Sequence, residues 1–220
     1  MPVTPEEVAR KHPQLYHMAA SGSWENIKKA GLLSTSQILN GCEISAEERI
    51  AIESRIRRKS YLVQHKLLGE ITIRDQKPLT AKLEKCLVEC TVEEWLLMLN
   101  RRVFFWASED RLKRFMRAKE YRDKEHCVIV VDTGEFLAAH KDCVKLTHMN
   151  TGAVEPFAHQ RGPKSFIPLK EFPLHGKKRK RVVEVSVEGG VRKIQDYVIR
   201  VENVILKNDR LEILKRVYVK

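Results

Sequence analysis

Apolar positions along the chain switch repeatedly between helical and strand spacing, and a capping or turn residue stands at most of the switches. Thr4-Pro5-Glu6-Glu7 offers a capping hydroxyl, a first-turn proline and a returning carboxylate, so a short helix starts there and stops before Pro13. Leu15-Tyr16-His17 is an apolar-aromatic run that reads as a strand. The small residues Ala19 to Ser23 turn the chain into a two-turn helix with Trp24 and Ile27 on one face, and Gly31 stands where a glycine would end it. Ser45-Ala46-Glu47-Glu48 is a second capping box, opening a helix expected to reach about Val63. Ile71 to Ile73 is strand-like until Asp75 and Pro78, and Thr80 to Cys90 reads as helix. Thr91-Val92-Glu93-Glu94 is a third box, with Trp95, Leu96, Met98 and Leu99 behind it. Val103 to Ala107 is a short strand with three consecutive aromatics, and Ser108 caps a helix carrying Leu112, Phe115 and Met116.

The second half is richer in strands. Val128 to Val131 is an unbroken β-branched run, which predicts a strand covered on both faces. Asp132 caps a short helix to about His140, and Val144 to His148 alternates like a strand. Residues 150–180 form a long loop region marked by Gly152, Gly162, Pro163, Pro168 and Pro173. Val183, Val185 and Val187 then alternate with Glu184, Ser186 and Glu188, and strands follow over Tyr197–Ile205 and Arg216–Val219. The pattern predicts an α+β protein forming one domain over residues 1–220, with helices mostly in the N-terminal half and a strand-rich C-terminal half.

Composition narrows the setting. The 220 residues are 43% hydrophobic and 32% charged, as in soluble globular proteins. No stretch of 18 apolar residues exists, so no membrane span is expected. The start lacks the basic and apolar regions of a signal peptide, and the five scattered cysteines suit reduced thiols, so a cytoplasmic location is expected. A net charge of +12 attracts polyanions, either DNA or RNA or a phosphate-bearing small molecule; the bland account is a generic basic surface. No Gly-x-Gly-x-x-Gly, phosphate-loop or Gly-x-Ser-x-Gly pattern occurs, which argues against those nucleotide-binding and hydrolase designs. Cys86 and Cys90 lack a matching second pair, and His140, Cys143 and His148 fit no familiar zinc spacing, so no metal is expected.

The candidate chemistry lies in six places. A strand delivering Tyr16 and His17 to a turn can put an imidazole and free backbone groups beside a cleft; the alternative is a satisfied core histidine. Arg55 and Arg58 share a helix face that is either solvated or supplies one arginine inward to a phosphate. Phe105 or Trp106 can stack on a planar ring, although aromatic strands also build cores. Glu184 projects from the strand face opposite the valines, where it is either a surface glutamate or a site carboxylate. Asn150 and Arg161 in the long loop, and Lys178 and Arg179 in the basic run Lys177 to Arg181, are candidates to bind substrate; a solvated hairpin tip is the other reading of that run.

Three of these stretches, in order, resemble ADP-ribosyltransferase-fold enzymes. They are the segment Leu15 to Thr35, the strand Val103 to Trp106 with its following helix, and the strand bearing Glu184. The nearest likeness is to DarT-type DNA-modifying toxins and to RNA 2′-phosphotransferases, and the opening is also similar to a set of uncharacterised bacterial proteins. The resemblance implies a split, mixed or antiparallel sheet and NAD as substrate. By the same carry-over, His17 and backbone near Met18 would hold NAD, with Tyr16 in the same motif and Phe105 or Trp106 packing the nicotinamide. Glu184 would assist cleavage of the nicotinamide–ribose bond, and Arg55 would hold phosphate or acceptor. Ala19 departs from relatives that carry a hydroxyl residue there. The expected function is ADP-ribosyl transfer, with nucleic acid as the acceptor suggested by the charge. The alternatives are plain NAD hydrolysis and a non-enzymatic nucleic-acid-binding module.

Overall fold

The computed structural model describes residues 2–220, in the order α1 (Pro5–Lys11), β1 (Gln14–Ala20), α2 (Trp24–Ala30), β2 (Leu32–Leu33), α3 (Thr35–Asn40), α4 (Ala46–Glu53), β3 (Tyr61–His65) and β4 (Gly69–Ile73). Then come α5 (Leu83–Cys86), α6 (Val92–Asn100), β5 (Arg102–Trp106), α7 (Glu109–Met116), β6 (His126–Asp132), α8 (Thr133–His140), β7 (Val144–Thr147) and β8 (Ile167–Pro168). The chain closes with β9 (Glu184–Glu188), β10 (Gly190–Val191), β11 (Val198–Lys207) and β12 (Arg210–Val219).

The expected capping boxes at Thr4, Ser45 and Thr91 all form, each hydroxyl accepting the N–H three residues on while the glutamate returns to the cap N–H. A fourth, Ser34 with Gln37, starts α3. Two helices are shorter than expected. α4 stops at Glu53 rather than near Val63, because the Arg57 guanidinium folds back to donate to the Ile52 carbonyl (2.6 Å) and Tyr61–His65 pairs with β4. The stretch Thr80 to Cys90 holds only the single-turn α5.

Eight strands form one sheet in the order β12-β11-β6-β1-β5-β9-β7-β8, and every pairing is antiparallel. β1 pairs with β6 along its whole length, from Gln14↔Asp132 to Ala20↔His126, and β5 pairs with β9 from Arg102↔Glu188 to Trp106↔Glu184. Between β1 and β5 the register has one pair, Tyr16↔Trp106. The sheet is therefore two four-stranded halves joined at a single rung, which is how the expected split is realised.

Strand alternation sorts the side chains into two layers. Leu15, Phe105, Ile129, Val131 and Val185 face a core closed by Phe136 and Leu137 of α8 and by Trp24 of α2. Tyr16, Met18, Val128 and Val130 face the other way, onto Leu112 and Met116 of α7. The two-stranded β3–β4 hairpin packs with α3 and α4 as a smaller cluster beside the split. Residues 150–180 carry little regular structure yet bury Val154, Phe166, Leu169 and Phe172. The basic run before β9 follows that loop rather than capping a hairpin. Among the described residues no helix is long and apolar enough to cross a membrane.

Candidate functional site

Where β1 parts from β5, its backbone loses a strand partner, and side chains take over. The His17 imidazole fills the gap. Its Nδ1–H donates to the Phe104 carbonyl (2.8 Å), which fixes the tautomer and leaves Nε2 as a bare acceptor. The Met18 carbonyl receives Nη1–H of Arg74 (3.3 Å). In an antiparallel strand a residue sends its N–H and C=O to the same side, so the Met18 N–H also faces the split.

The split opens into a cavity of about 480 Å³, within the range of small-molecule sites. His17 and Glu184 both line it, from opposite halves of the sheet. Burial holds the imidazole well below its usual range, at about 4, against the opposing pull of the Phe104 hydrogen bond, so it is neutral at physiological pH.

Glu184 is 3% exposed. Its register partners are Trp106 on β5 and Thr147 on β7. Thr151 donates twice: its N–H lies 3.2 Å from both carboxyl oxygens, and its hydroxyl lies 2.8 Å from Oε2. The Thr147 hydroxyl lies 3.1 Å from Oε2 and 2.8 Å from the Met149 carbonyl. One hydroxyl has one hydrogen, and the carbonyl has none to give. The shorter contact claims the Thr147 proton, and the remaining contact is satisfied when Glu184 itself is protonated and donates to Thr147 Oγ1. Burial raises this carboxyl to about 7, with the Thr151 hydrogen bonds and the charge of Arg161 acting against the rise. Oε1 keeps only the shared Thr151 N–H, so it is the oxygen with capacity left for a ligand.

One wall is aromatic. Trp106 packs on Phe115 (5.3 Å between centroids), Phe115 on Tyr121 (4.6 Å), and the Arg74 guanidinium lies 4.7 Å over Tyr121. Tyr121 also donates to Asp75 (3.1 Å). Arg74 Nη2 is buried without a hydrogen-bond partner, an uncommon state that a ligand anion would relieve.

The structure brings together some of the expected residues and disperses others. His17, Met18, Trp106, Asn150 and Glu184 line the cavity. Asn150 does so as a turn former, its Oδ1 accepting from Gly152 N–H (2.9 Å). Phe105 does not, because strand alternation sends it into the main core against Phe136 (4.9 Å), while Phe104 and Trp106 take the cavity side. Tyr16 likewise points to the α7 layer and hydrogen-bonds Gln14. Arg55 is exposed beyond the end of α4 and lines no part of the cavity. The arginine that turns inward is Arg57, whose donors reach the carbonyls of Ile52 and Arg74 and the side chain of Asn100. Arg161 is 1% exposed and acts as a brace: its guanidinium donates to the carbonyls of Thr151 (3.3 Å), Ala153 (2.7 Å) and His159 (3.2 Å). Lys178 is exposed outside the cavity, and Arg179 lies in a separate basic groove. Missing from the sequence reading were Arg74, Phe104, Tyr121 and the threonines 147 and 151. Only Phe104 had a legible signal, the two-residue period that pairs it with Trp106.

No curated protein matches the chain. A family model matches residues 13–198, from just before β1 to the first residue of β11, and so includes the two strands that flank the split and every cavity residue named above. With that match over most of its length, the chain belongs to DUF7002, a family of unknown function.

Proposed function

We propose that this protein is an NAD-dependent ADP-ribosyltransferase that breaks the nicotinamide–ribose bond with assistance from Glu184. The observation that carries this reading is that the imidazole of His17 and the carboxyl of Glu184, from opposite halves of a split sheet, line one cavity. NAD is the substrate. The Met18 N–H and the second lone pair of its carbonyl, beside Arg74, suit the nicotinamide carboxamide, which needs one donor and one acceptor. Nε2 of the neutral His17 suits a ribose hydroxyl, the aromatic wall suits the nicotinamide ring, and Arg74 rather than Arg55 suits the pyrophosphate.

In the reaction the C1′–N bond breaks, and its electron pair leaves on the pyridine nitrogen, cancelling the charge there. Positive charge builds on the ribose, where the Glu184 carboxylate in a recess of low polarity stabilises it. The acceptor nucleophile then bonds to C1′, and its proton passes to Glu184. A carboxyl near 7 is matched to that transfer. The basic surface favours a nucleic-acid acceptor.

The test is incubation with NAD and DNA, RNA or protein acceptors, following nicotinamide release and label transfer. Glu184→Ala is expected to lower both by at least about 100-fold. Nicotinamide release without a labelled macromolecule would assign hydrolysis instead. Neither release nor transfer, with salt-sensitive nucleic-acid binding retained, would leave a binding module.

A further inference from the structure

Across the molecule most buried or half-buried cations have acidic or carbonyl partners. Arg102 pairs with Glu188, Arg49 with Glu53, Arg200 with Glu202, and Arg57 and Arg161 donate to carbonyls. One region gathers six cations without such partners; Arg111 among them is half-buried and the other five are exposed. A groove of about 510 Å³ lies just past the ends of two site strands, with Ser108 two residues beyond Trp106 and Val182 two residues before Glu184. Lys11 enters it from the end of α1, Arg111 and Arg114 from one face of α7, and Arg179, Lys180 and Arg181 from the run before β9. None of these six has a carboxylate within ion-pair distance among the described residues. The one acid in the lining, Asp110, is already paired with Lys113 (3.3 Å).

Arg111 shows the consequence. Burial, and then the like charges of Arg114 and Arg181, hold its guanidinium below the usual arginine range. His12, which also lines the groove, gives one ring nitrogen to the Ala107 carbonyl (2.8 Å) and is kept neutral chiefly by burial, with Arg111 and Lys11 adding to it. The chain thus holds a concave cluster of positive charge with no carboxylate paired to it; the charge of Glu184 favours ionised Arg111 but counts for less than burial, Arg114 and Arg181.

We infer that this groove is a second binding site, separate from the cavity, for the sugar–phosphate backbone of a nucleic-acid strand. Six cations from three separate segments meet in the groove, more charge than one phosphate needs and suited to a repeating one. No Phe, Tyr or Trp lines it, so the groove offers charge to phosphates rather than a row of stacking platforms to bases, and binding is tolerant of sequence. The inference does not depend on the reaction proposed above, because it rests on the groove alone.

The test uses the full chain and labelled 20-nucleotide single strands of DNA and RNA of several sequences, followed by fluorescence anisotropy over a salt series. The exposed pair Arg114→Gln and Arg179→Gln is compared with the remote pair Lys193→Gln and Lys215→Gln, with thermal melts to check folding. Every single-strand phosphate that the protein ceases to neutralise lowers the salt slope by about 0.7, so the groove pair is expected to flatten it by about 1.4 and weaken binding on the order of 10-fold or more at 0.1 M salt. The remote pair is expected to leave slope and affinity unchanged. Equal effects of the two pairs would overturn the inference. So would restriction to one base sequence, or displacement by poly-glutamate as effective as by unlabelled strand.

Discussion

Replacing Glu184 by glutamine exchanges an acid held near 7 for a neutral side chain of the same shape. The amide NH₂ can donate to Thr147 Oγ1, and its oxygen can accept from Thr151 N–H, so Gln mimics the protonated form of the carboxyl. In the unfolded chain the carboxyl titrates near its ordinary value of 4.5, whereas in the folded chain it does so at about 7. Its folded form holds a proton that the unfolded form has lost. The native state therefore gains fully from Glu184 below pH 4.5 and loses that gain as pH rises through 7. At pH 8 the cost to the wild type is about 3 kcal/mol, and at pH 5 about 1 kcal/mol. Urea unfolding at both values should show Glu184→Gln gaining about 2 kcal/mol on the wild type between pH 5 and pH 8. Using the difference between the two proteins removes the opposite trend from His17, whose lowered value makes the fold lose stability as pH falls from 6.5 towards 4. Parallel stability curves for the two proteins from pH 5 to pH 8 would refute the assignment of a buried, proton-holding carboxyl. Nicotinamide release should be lost in the same variant, which separates the stabilising effect from the catalytic one.

Two further substitutions probe the supports of the site. Arg161→Gln removes the donors that pin Thr151 and Ala153, so a loss of about 2–4 kcal/mol is expected. As the Thr151 hydrogen bonds and the Arg161 charge both lower the Glu184 value, the acid limb of a rate profile for nicotinamide release should move to higher pH; an unmoved limb would show that Arg161 does not act through this loop. Gly31→Ala should cost about 2–4 kcal/mol by urea unfolding, because φ there is +84° and a Cβ would stand 2.5 Å from the Arg192 carbonyl oxygen; a loss below about 1 kcal/mol would contradict that geometry.

The local grammar of this fold was largely legible. Caps at Thr4, Ser45, Thr91, Ser108 and Asp132 are short-range devices, and each starts a helix as expected. The buried run Val128 to Val131 and the alternation around Glu184 gave strands for the same reason. What failed was anything set by distant contacts. The end of α4 depends on Arg57 reaching back and on a hairpin partner further along the chain. The two-residue period sets Phe105 against Phe104 and Trp106, but which of the two faces meets the cavity depended on how β5 packs in the sheet. Arginines carry no local mark of whether they face solvent, a carbonyl or a cavity, so Arg55, Arg57, Arg74 and Arg161 were indistinguishable by type. Thr147 and Thr151 matter only because pairing and a loop carry them to Glu184.

The lone rung at Tyr16↔Trp106 makes the sheet resemble two leaves on a pin. Opening there would cost few backbone bonds, so amides of β1 and β5 beside the pin should exchange with solvent in concert while each leaf stays intact. A molecule gripping His17 on one leaf and Glu184 on the other would then act as a staple. It would bind and, in the same event, add a second tie across the edge where one backbone rung and the shared core now hold the halves, so that the protein should unfold at higher urea with its ligand than without it.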